Sequence, residues 1–305
     1  MKKPAGLLKK DRVYMVACSS PFDQQNFKNA KQYLSDAGLK VTYARSVFAK
    51  RHYLAGTDKQ RLQGMQQALK DKKAKALFFA RGGYGCTRIL PFTIDQAWPD
   101  KIIMGLSDVT PLLNWYALKK KCQTIHGPVL CGEQFHSLNL RQKNHILGLL
   151  SYPGKKQILQ IERDYKVHKV KSGKARILGG NLSMLCSSVG TSYAVKPKNA
   201  FLFLEEVNEP AYKVDRMLTQ LFQTGFLNEC KAVFLGDFTD LNGDFHANAW
   251  LLALIQDLMK KQKINIPIVY GLKSGHVHAD ILWPIGGWVE IAKNGKQIVI
   301  DCLVQ

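Results

Sequence analysis

The sequence predicts an α/β fold, with a parallel, doubly wound sheet in the first half and further strands and helices in the second. Three observations carry this. Short apolar runs alternate with amphipathic helical stretches from Arg12 to Lys121, as in successive βαβ units. The stretch Lys101–Lys121 passes from a strand pattern to a helix pattern across one polar turn. Beyond Ile177 more strand-like runs follow, and Asn294-Gly295 joins the last two as a hairpin.

In order, Arg12–Ala17 reads as a first strand, followed by a turn through Ser19, Ser20 and Pro21. Phe27, Ala30, Tyr33 and Leu34 form the inward stripe of a helix from about Gln24 to Ala37, which Gly38 stops. Leu39–Ala44 reads as a second strand. Thr57 or a near neighbour caps a helix carrying Leu62, Met65 and Leu69. Ala76–Ala80 is a third strand and runs directly into Arg81-Gly82-Gly83-Tyr84-Gly85. Ile102–Met104 is the fourth, ended by Gly105. Ser107, Asp108 and Thr110 then favour a helix start, with Pro111 in the first turn and Lys119–Lys121 at the negative end of the dipole. A helix over about Leu140–Leu150 closes the first half, and Lys155–Lys174 has the composition of a linker. In the second half a short helix follows Leu182. Phe201–Leu204 is a strand that delivers Glu205 and Glu206. Pro210–Leu221 and Ala247–Lys261 are helical. Ala232–Leu235, Ile268–Tyr270, Trp288–Ile291 and Gln297–Cys302 are strands.

The 305 residues carry a formal charge of +21, which favours anionic partners: nucleic acid, a membrane surface or acidic small substrates. The basic residues are scattered, and no RNA-recognition motif, zinc finger or long basic tail is present. The run Val13–Cys18 is too short for a signal-peptide core. No apolar run approaches the ~20 residues of a transmembrane helix. Seven cysteines without a CxxC pair read as reduced thiols, which suggests a cytoplasmic protein.

In a doubly wound sheet ligands bind beyond the C-terminal strand ends, where both Arg81–Gly85 and Ser107 fall. A hydroxyl lifted out of a sheet beside the free N–H groups of a helix start is how a serine nucleophile is presented; it is also what an ordinary helix cap looks like. Gly82, Gly83 and Gly85 suit a turn, a phosphate cradle or an oxyanion hole, although neither GxGxxG nor GxxxxGK[ST] is present. A nucleophile needs a base, and the base an orienting acid. Eight histidines are available and their spacing does not choose among them. Glu205 is a candidate orienter or a salt-bridge partner of Arg216. His276-Val277-His278 resembles half a metal site. Cys86 and Cys131 are candidate thiols without a strand-to-helix setting.

Five segments together resemble the LD-carboxypeptidases, serine peptidases that act on murein peptides. They are Arg81–Gly85, Gly105–Thr110, Gly179-Gly180-Asn181-Leu182, Leu204–Pro210 with Tyr212, Asp215 and Arg216, and Gly275-His276. The resemblance runs from about Arg12 to the C-terminal hairpin. It implies a Rossmann-like N-terminal domain (1–154) carrying the nucleophile, a linker (155–174) and a β-rich α/β C-terminal domain (175–305). It implies Ser107 as nucleophile, Glu205 as orienting acid and His276 as general base, with the N–H groups of Gly83 and Asp108 as oxyanion hole. Cys18 and Glu206 depart from the family's usual Pro and Asp.

The expected activity is release of terminal D-alanine from murein tetrapeptides during cell-wall recycling. No metal or organic cofactor is implied. The expected partners are a murein peptide and a second copy of the chain as a homodimer, with no nucleic acid and no membrane span. Two alternatives stand beside it: an immunity-type hydrolase of the same family acting on peptidyl or aminoacyl adenylate toxins, and a non-catalytic polyanion-binding protein. Proton transfer requires Ser107 and His276 within ~3 Å or one water of each other, so the two halves must meet. The cleft between them is expected to be basic, to attract an acidic peptide.

Overall fold

The computed structural model describes residues 1–94, 100–160, 172–239, 241, 247–292 and 297–305. The first half runs β1 (Arg12–Val16), α1 (Gln24–Asp36), β2 (Lys40–Tyr43), α2 (Asp58–Lys70) and β3 (Ala74–Phe79). A one-turn α3 (Cys86–Ile89), β4 (Ile102–Gly105), α4 (Thr110–Lys120) and β5 (Thr124–His126) complete it. The strands lie in the order β2-β1-β3-β4-β5, all parallel. Both faces are covered, which explains the continuous apolar runs. Val13, Met15, Ala76, Phe78 and Ile102 pack into one core, and Tyr14, Val16, Leu77, Phe79 and Ile103 into another on the opposite face. Asp23 caps α1 through the N–H groups of Gln25 and Asn26, and Thr57 with Gln60 forms a capping box on α2.

After α5 (Glu133–Ser137) and α6 (Leu140–Ser151) come β6 (Gln157–Gln160), β7 (Gly173–Asn181), α7 (Leu182–Ser188), β8 (Phe201–Glu206) and α8 (Ala211–Gln223). Then follow β9 (Ala232–Phe238), α9 (Ala247–Lys261), β10 (Ile268–Val269), β11 (Trp283–Ile285), β12 (Trp288–Ala292) and β13 (Gln297–Ile300). Strands β7, β8, β9 and β10 are parallel neighbours. An antiparallel ribbon of β12, β13 and β6 folds off β7. The hairpin turn expected at Asn294-Gly295 lies outside the described residues. So does 161–171 of the expected linker, whose flanks form β6 and the start of β7.

The two α/β units share one sheet, because β11 sits between them. It pairs antiparallel with β5, Trp283 opposite His126, and parallel with β7. Helix α4 strengthens the junction. The buried Asn114 amide donates to Gly179 O at 2.7 Å and accepts from Gly179 N–H at 2.8 Å. Thr110 Oγ1 accepts from Asn181 N–H at 3.2 Å. The helix that starts beside Ser107 is thus bonded to the strand before Glu205's own. Among the described residues no helix is long and apolar enough to cross a membrane.

Candidate active site

Ser107 stands at the end of β4. Leu106 is still extended, Ser107 itself has φ 67°, and a 3-10 turn over Ser107–Val109 leads into α4. A left-handed conformation at a non-glycine residue costs of order 1–3 kcal/mol and persists where surroundings impose it, typically at functional sites. Neither helix start here is capped by a side chain, so the ordinary-cap reading of Ser107 finds no support. The neighbouring turn must be glycine at 82: a Cβ there would fall 2.7 Å from Ser107 Cβ and 2.9 Å from Oγ. The following Gly83 has φ 98°.

The Asp108 carboxylate has a role the sequence did not suggest. Its Oδ2 accepts the Cys86 N–H at 2.7 Å, tying the turn after β3 to the turn after β4. Buried Arg61 supports the same turn, donating to Cys18 O and Gly85 O at 2.5 and 2.6 Å. Ser20 N–H donates to Gly82 O at 3.1 Å. The two expected oxyanion donors, the N–H groups of Gly83 and Asp108, therefore lie on segments braced against each other. The leading N–H groups of a helical turn have no acceptor within it, which suits Asp108 to donate outward.

Glu205 and His276 meet directly. His276 Nδ1 lies 2.5 Å from Glu205 Oε2, with both side chains buried. The loop can pass this closely because residue 275 is glycine with φ 149°; a Cβ there would fall 3.1 Å from Glu205 Oε2. Burial alone would push the Glu205 carboxyl up, but the charge and hydrogen bond of His276 outweigh it and hold it low. Burial likewise disfavours a charged His276, but Glu205 outweighs it and raises the imidazole's pKa. With Nδ1 engaged, Nε2 is left for other work.

Glu206 faces elsewhere. It accepts from Asn181 Nδ2 and Ser183 N–H, both at 2.8 Å, at the start of α7. The β8–β9 register shifts between Leu204 and Glu206, so the two glutamates are separated at an irregularity in the ladder. His278 contacts Asp237 at 3.0 Å, so the HxH pair divides between two carboxylates. Among the described residues no group of three or more His, Cys, Asp or Glu is placed to hold a metal. Cys86 and Cys131 are buried; burial pushes the Cys131 thiol up to about 12.

His126 is the other residue that spacing did not single out. It ends β5 edge-on to Phe203, with ring centroids 5.3 Å apart, and neither ring nitrogen has a hydrogen-bond partner. Burial lowers its pKa to about 4, against the pull of Glu205. Its only sequence signal is the His126-Gly127-Pro128 triplet, which does not tell a ligand from a core imidazole.

Ser107, Gly82, Gly83 and His276 line one cavity of about 370 Å³. The expectation of a basic cleft is corrected here. The charged groups in the lining are Arg81, Asp23 and Glu133, besides His276. Lysines such as Lys119–Lys121 stand exposed at the far end of α4, away from the strand ends that build the cavity.

Comparison with known proteins follows the same division of the chain. Residues 13–127 match the LD-carboxypeptidase N-terminal domain and residues 174–291 the LD-carboxypeptidase C-terminal domain. The probable murein peptide carboxypeptidase of Bacillus subtilis is 30% identical, over 98% of this chain and 94% of its own. The murein tetrapeptide carboxypeptidase of Pseudomonas aeruginosa is 30% identical over 90% and 91%. Among solved structures, muramoyltetrapeptide carboxypeptidase from Oxalobacter formigenes superposes with TM-score 0.81 at 25% identity, covering 95% of this chain and 98% of that one. The microcin C7 self-immunity protein MccF in complex with aspartyl sulfamoyl adenosine superposes with TM-score 0.86 at 19% identity, covering all of both chains. Other structures of that protein hold glutamyl sulfamoyl guanosine and adenosine monophosphate. These complexes correct the expected absence of nucleic-acid-type partners: nucleotide-type ligands do occur on this fold, so the lack of an RNA-recognition motif, zinc finger or long basic tail does not set them aside. The chain belongs to the LD-carboxypeptidase family of serine-type hydrolases.

Proposed function

We propose that this protein hydrolyses an acyl bond at the end of a small peptide through an acyl-enzyme on Ser107. The observation that carries the reading is one cavity lined by Ser107, Gly83 and a His276 already bonded to Glu205. Ser107 Oγ attacks the carbonyl while His276 Nε2 takes its proton. Glu205 keeps Nδ1 protonated and stabilises the imidazolium. The N–H groups of Gly83 and Asp108 donate to the developing oxyanion. His276 then gives the proton to the leaving group and activates water for deacylation.

Two leaving groups fit this chemistry. The ligand-bearing structures of the microcin immunity protein favour a nucleotide-linked acyl substrate. The names of the carboxypeptidases favour the D-alanine of a murein tetrapeptide. The purified protein should be given aspartyl sulfamoyl adenosine and murein tetrapeptide separately, with release of sulfamoyl adenosine or D-alanine followed by mass spectrometry. Turnover of one or both, lost in Ser107→Ala with the fold retained by circular dichroism, is the expected result. Wild-type inertness on both, or full turnover by Ser107→Ala, would overturn the proposal.

A further inference from the structure

Lys3, Asp301 and Cys302 meet where the first residues cross the last strand's exit. Lys3 Nζ lies 3.0 Å from Asp301 Oδ2 and 2.8 Å from Cys302 Sγ. The backbone on either side is tied down. Lys2 N–H donates to Lys121 O, Gln123 N–H to Lys2 O, Gly6 N–H to Gln305 O and Gln305 N–H to Pro4 O. Asp301 Oδ1 accepts the Cys302 N–H at 2.9 Å. The Lys3 and Asp301 side chains are 23% and 20% exposed, so small molecules reach a group that is otherwise enclosed.

The nitrogen–sulfur distance calls for a cause. Sulfur is larger than oxygen, so hydrogen bonds to it run longer than the 2.7–3.2 Å of N–H···O. The protein's other sulfur contacts behave this way. Cys186 Sγ is 3.3 Å from Met217 O, Met259 Sδ 3.4 Å from Ile266 N, and Cys18 Sγ 3.6 Å from Ser19 Oγ. At 2.8 Å, Lys3 and Cys302 stand well inside that spread. Their separation is too long for a direct N–S bond and suits two atoms joined through one oxygen.

We propose that Lys3 and Cys302 form a covalent modification site, at which dioxygen converts the pair into an N–O–S bridge. The step balances with one dioxygen. The O–O bond breaks, and one oxygen bonds to both Nζ and Sγ. The other leaves as water with one hydrogen from the amine and one from the thiol. Nitrogen and sulfur each give up two electrons, and dioxygen takes four. Lys3 must first lose its ammonium proton, and Asp301 is placed to receive it. Burial disfavours the charge on Lys3, but its bonds to Cys302 and Asp301 outweigh burial and raise its pKa. The reactive amine is therefore the minor species at neutral pH, and bridging should quicken as pH rises. Excess thiol reverses the bridge by returning the four electrons. Of the seven cysteines, five are buried, which leaves Cys302 among the more accessible thiols.

The test is peptide mapping by mass spectrometry. Fully reduced protein is held in air at pH 7 and at pH 9, then digested without reductant. A cross-linked pair containing Lys3 and Cys302 is expected, heavier than the sum of its two peptides by about 14 Da, one oxygen gained and two hydrogens lost. It should accumulate faster at pH 9 and vanish on treatment with dithiothreitol. Lys3→Arg, which keeps a cation beside Asp301, and Cys302→Ser should each abolish it. Recovery of Lys3 and Cys302 only in separate peptides overturns the proposal, even if Cys302 alone has gained oxygen.

Discussion

Replacing His126 with phenylalanine should remove a specific part of the protein's acid sensitivity. The imidazole is fully enclosed at the end of β5, its nitrogens have no hydrogen-bond partner, and it packs edge-on against Phe203. Burial lowers its pKa from 6.5 to about 4. The unfolded chain thus takes up a proton near pH 6.5, while the folded protein resists until about pH 4. Between those values unfolding binds a proton, so stability present above pH 6.5 is lost as pH falls. At 1.36 kcal/mol per pH unit across that interval, the loss amounts to about 3 kcal/mol. Phenylalanine keeps a flat ring and does not titrate. Urea unfolding of wild type and His126→Phe at intervals from pH 7 to pH 4 supplies the comparison. The variant should gain about 3 kcal/mol relative to wild type over that range, whatever its stability at pH 7. Depressed carboxylates such as Asp58 and Asp71 titrate in both proteins and cancel. A difference that stays constant from pH 7 to pH 4 would refute the assignment of a neutral, enclosed imidazole.

The remaining predictions concern catalysis, on whichever substrate is turned over. Glu205→Gln should lower kcat/KM by roughly four decades, by analogy with loss of a triad acid, while Glu206→Gln should cost mainly stability; a larger kinetic loss in Glu206→Gln would reverse the assignment. Because Glu205 raises the pKa of His276 and the base must be neutral to act, the acid limb of the pH–rate profile should lie above pH 6.5, with activity lost as pH falls through it. That limb should move downward in the residual activity of Glu205→Gln, and an unmoved limb would separate His276 from the profile. Gly82→Ala should displace Ser107 and lower kcat by about a hundredfold or more, with the circular dichroism spectrum retained; unchanged kcat would show that the two turns tolerate a wider spacing.

The parallel half of the fold was legible as far as β4, because β1, β3 and β4 are buried on both faces and α1 and α2 carry their own stripes and side-chain caps. Phe27, Ala30 and Leu34, and the Thr57 cap, appear where periodicity and capping chemistry place them. Ser107 was legible as a junction, from the change of period across Gly105 to Pro111. Its φ of 67° was not, since it depends on the packing of two turns. Glu205 and His276 were paired through family resemblance, because eight histidines at unrelated spacings offer no local signal. The strands β5 and β6 were not read as strands, and neither was β11. Strand β11 is three residues long and contains Pro284, a poor strand residue on its own terms, and only its neighbours β5 and β7 make it one. The charge of the cleft was misjudged because net charge is a sum over the whole surface, and the cavity draws on one arginine of it.

That late strand has a consequence for the protein's synthesis. Strands β5 and β7 have no partner between them until residues 283–285 have left the ribosome. Translation proceeds at about 5–20 residues per second, so a nascent chain spends seconds with two adjacent unpaired edges at the middle of what will be its sheet. His276 also emerges only at this stage, a few residues before Trp283. The strand that joins the two α/β units and the last residue of the candidate triad are therefore supplied by one short stretch of chain. A polypeptide released before this stretch has both an adhesive edge and no base for its serine. Quality control that recognises exposed strand edges would remove the same chains that cannot turn over substrate.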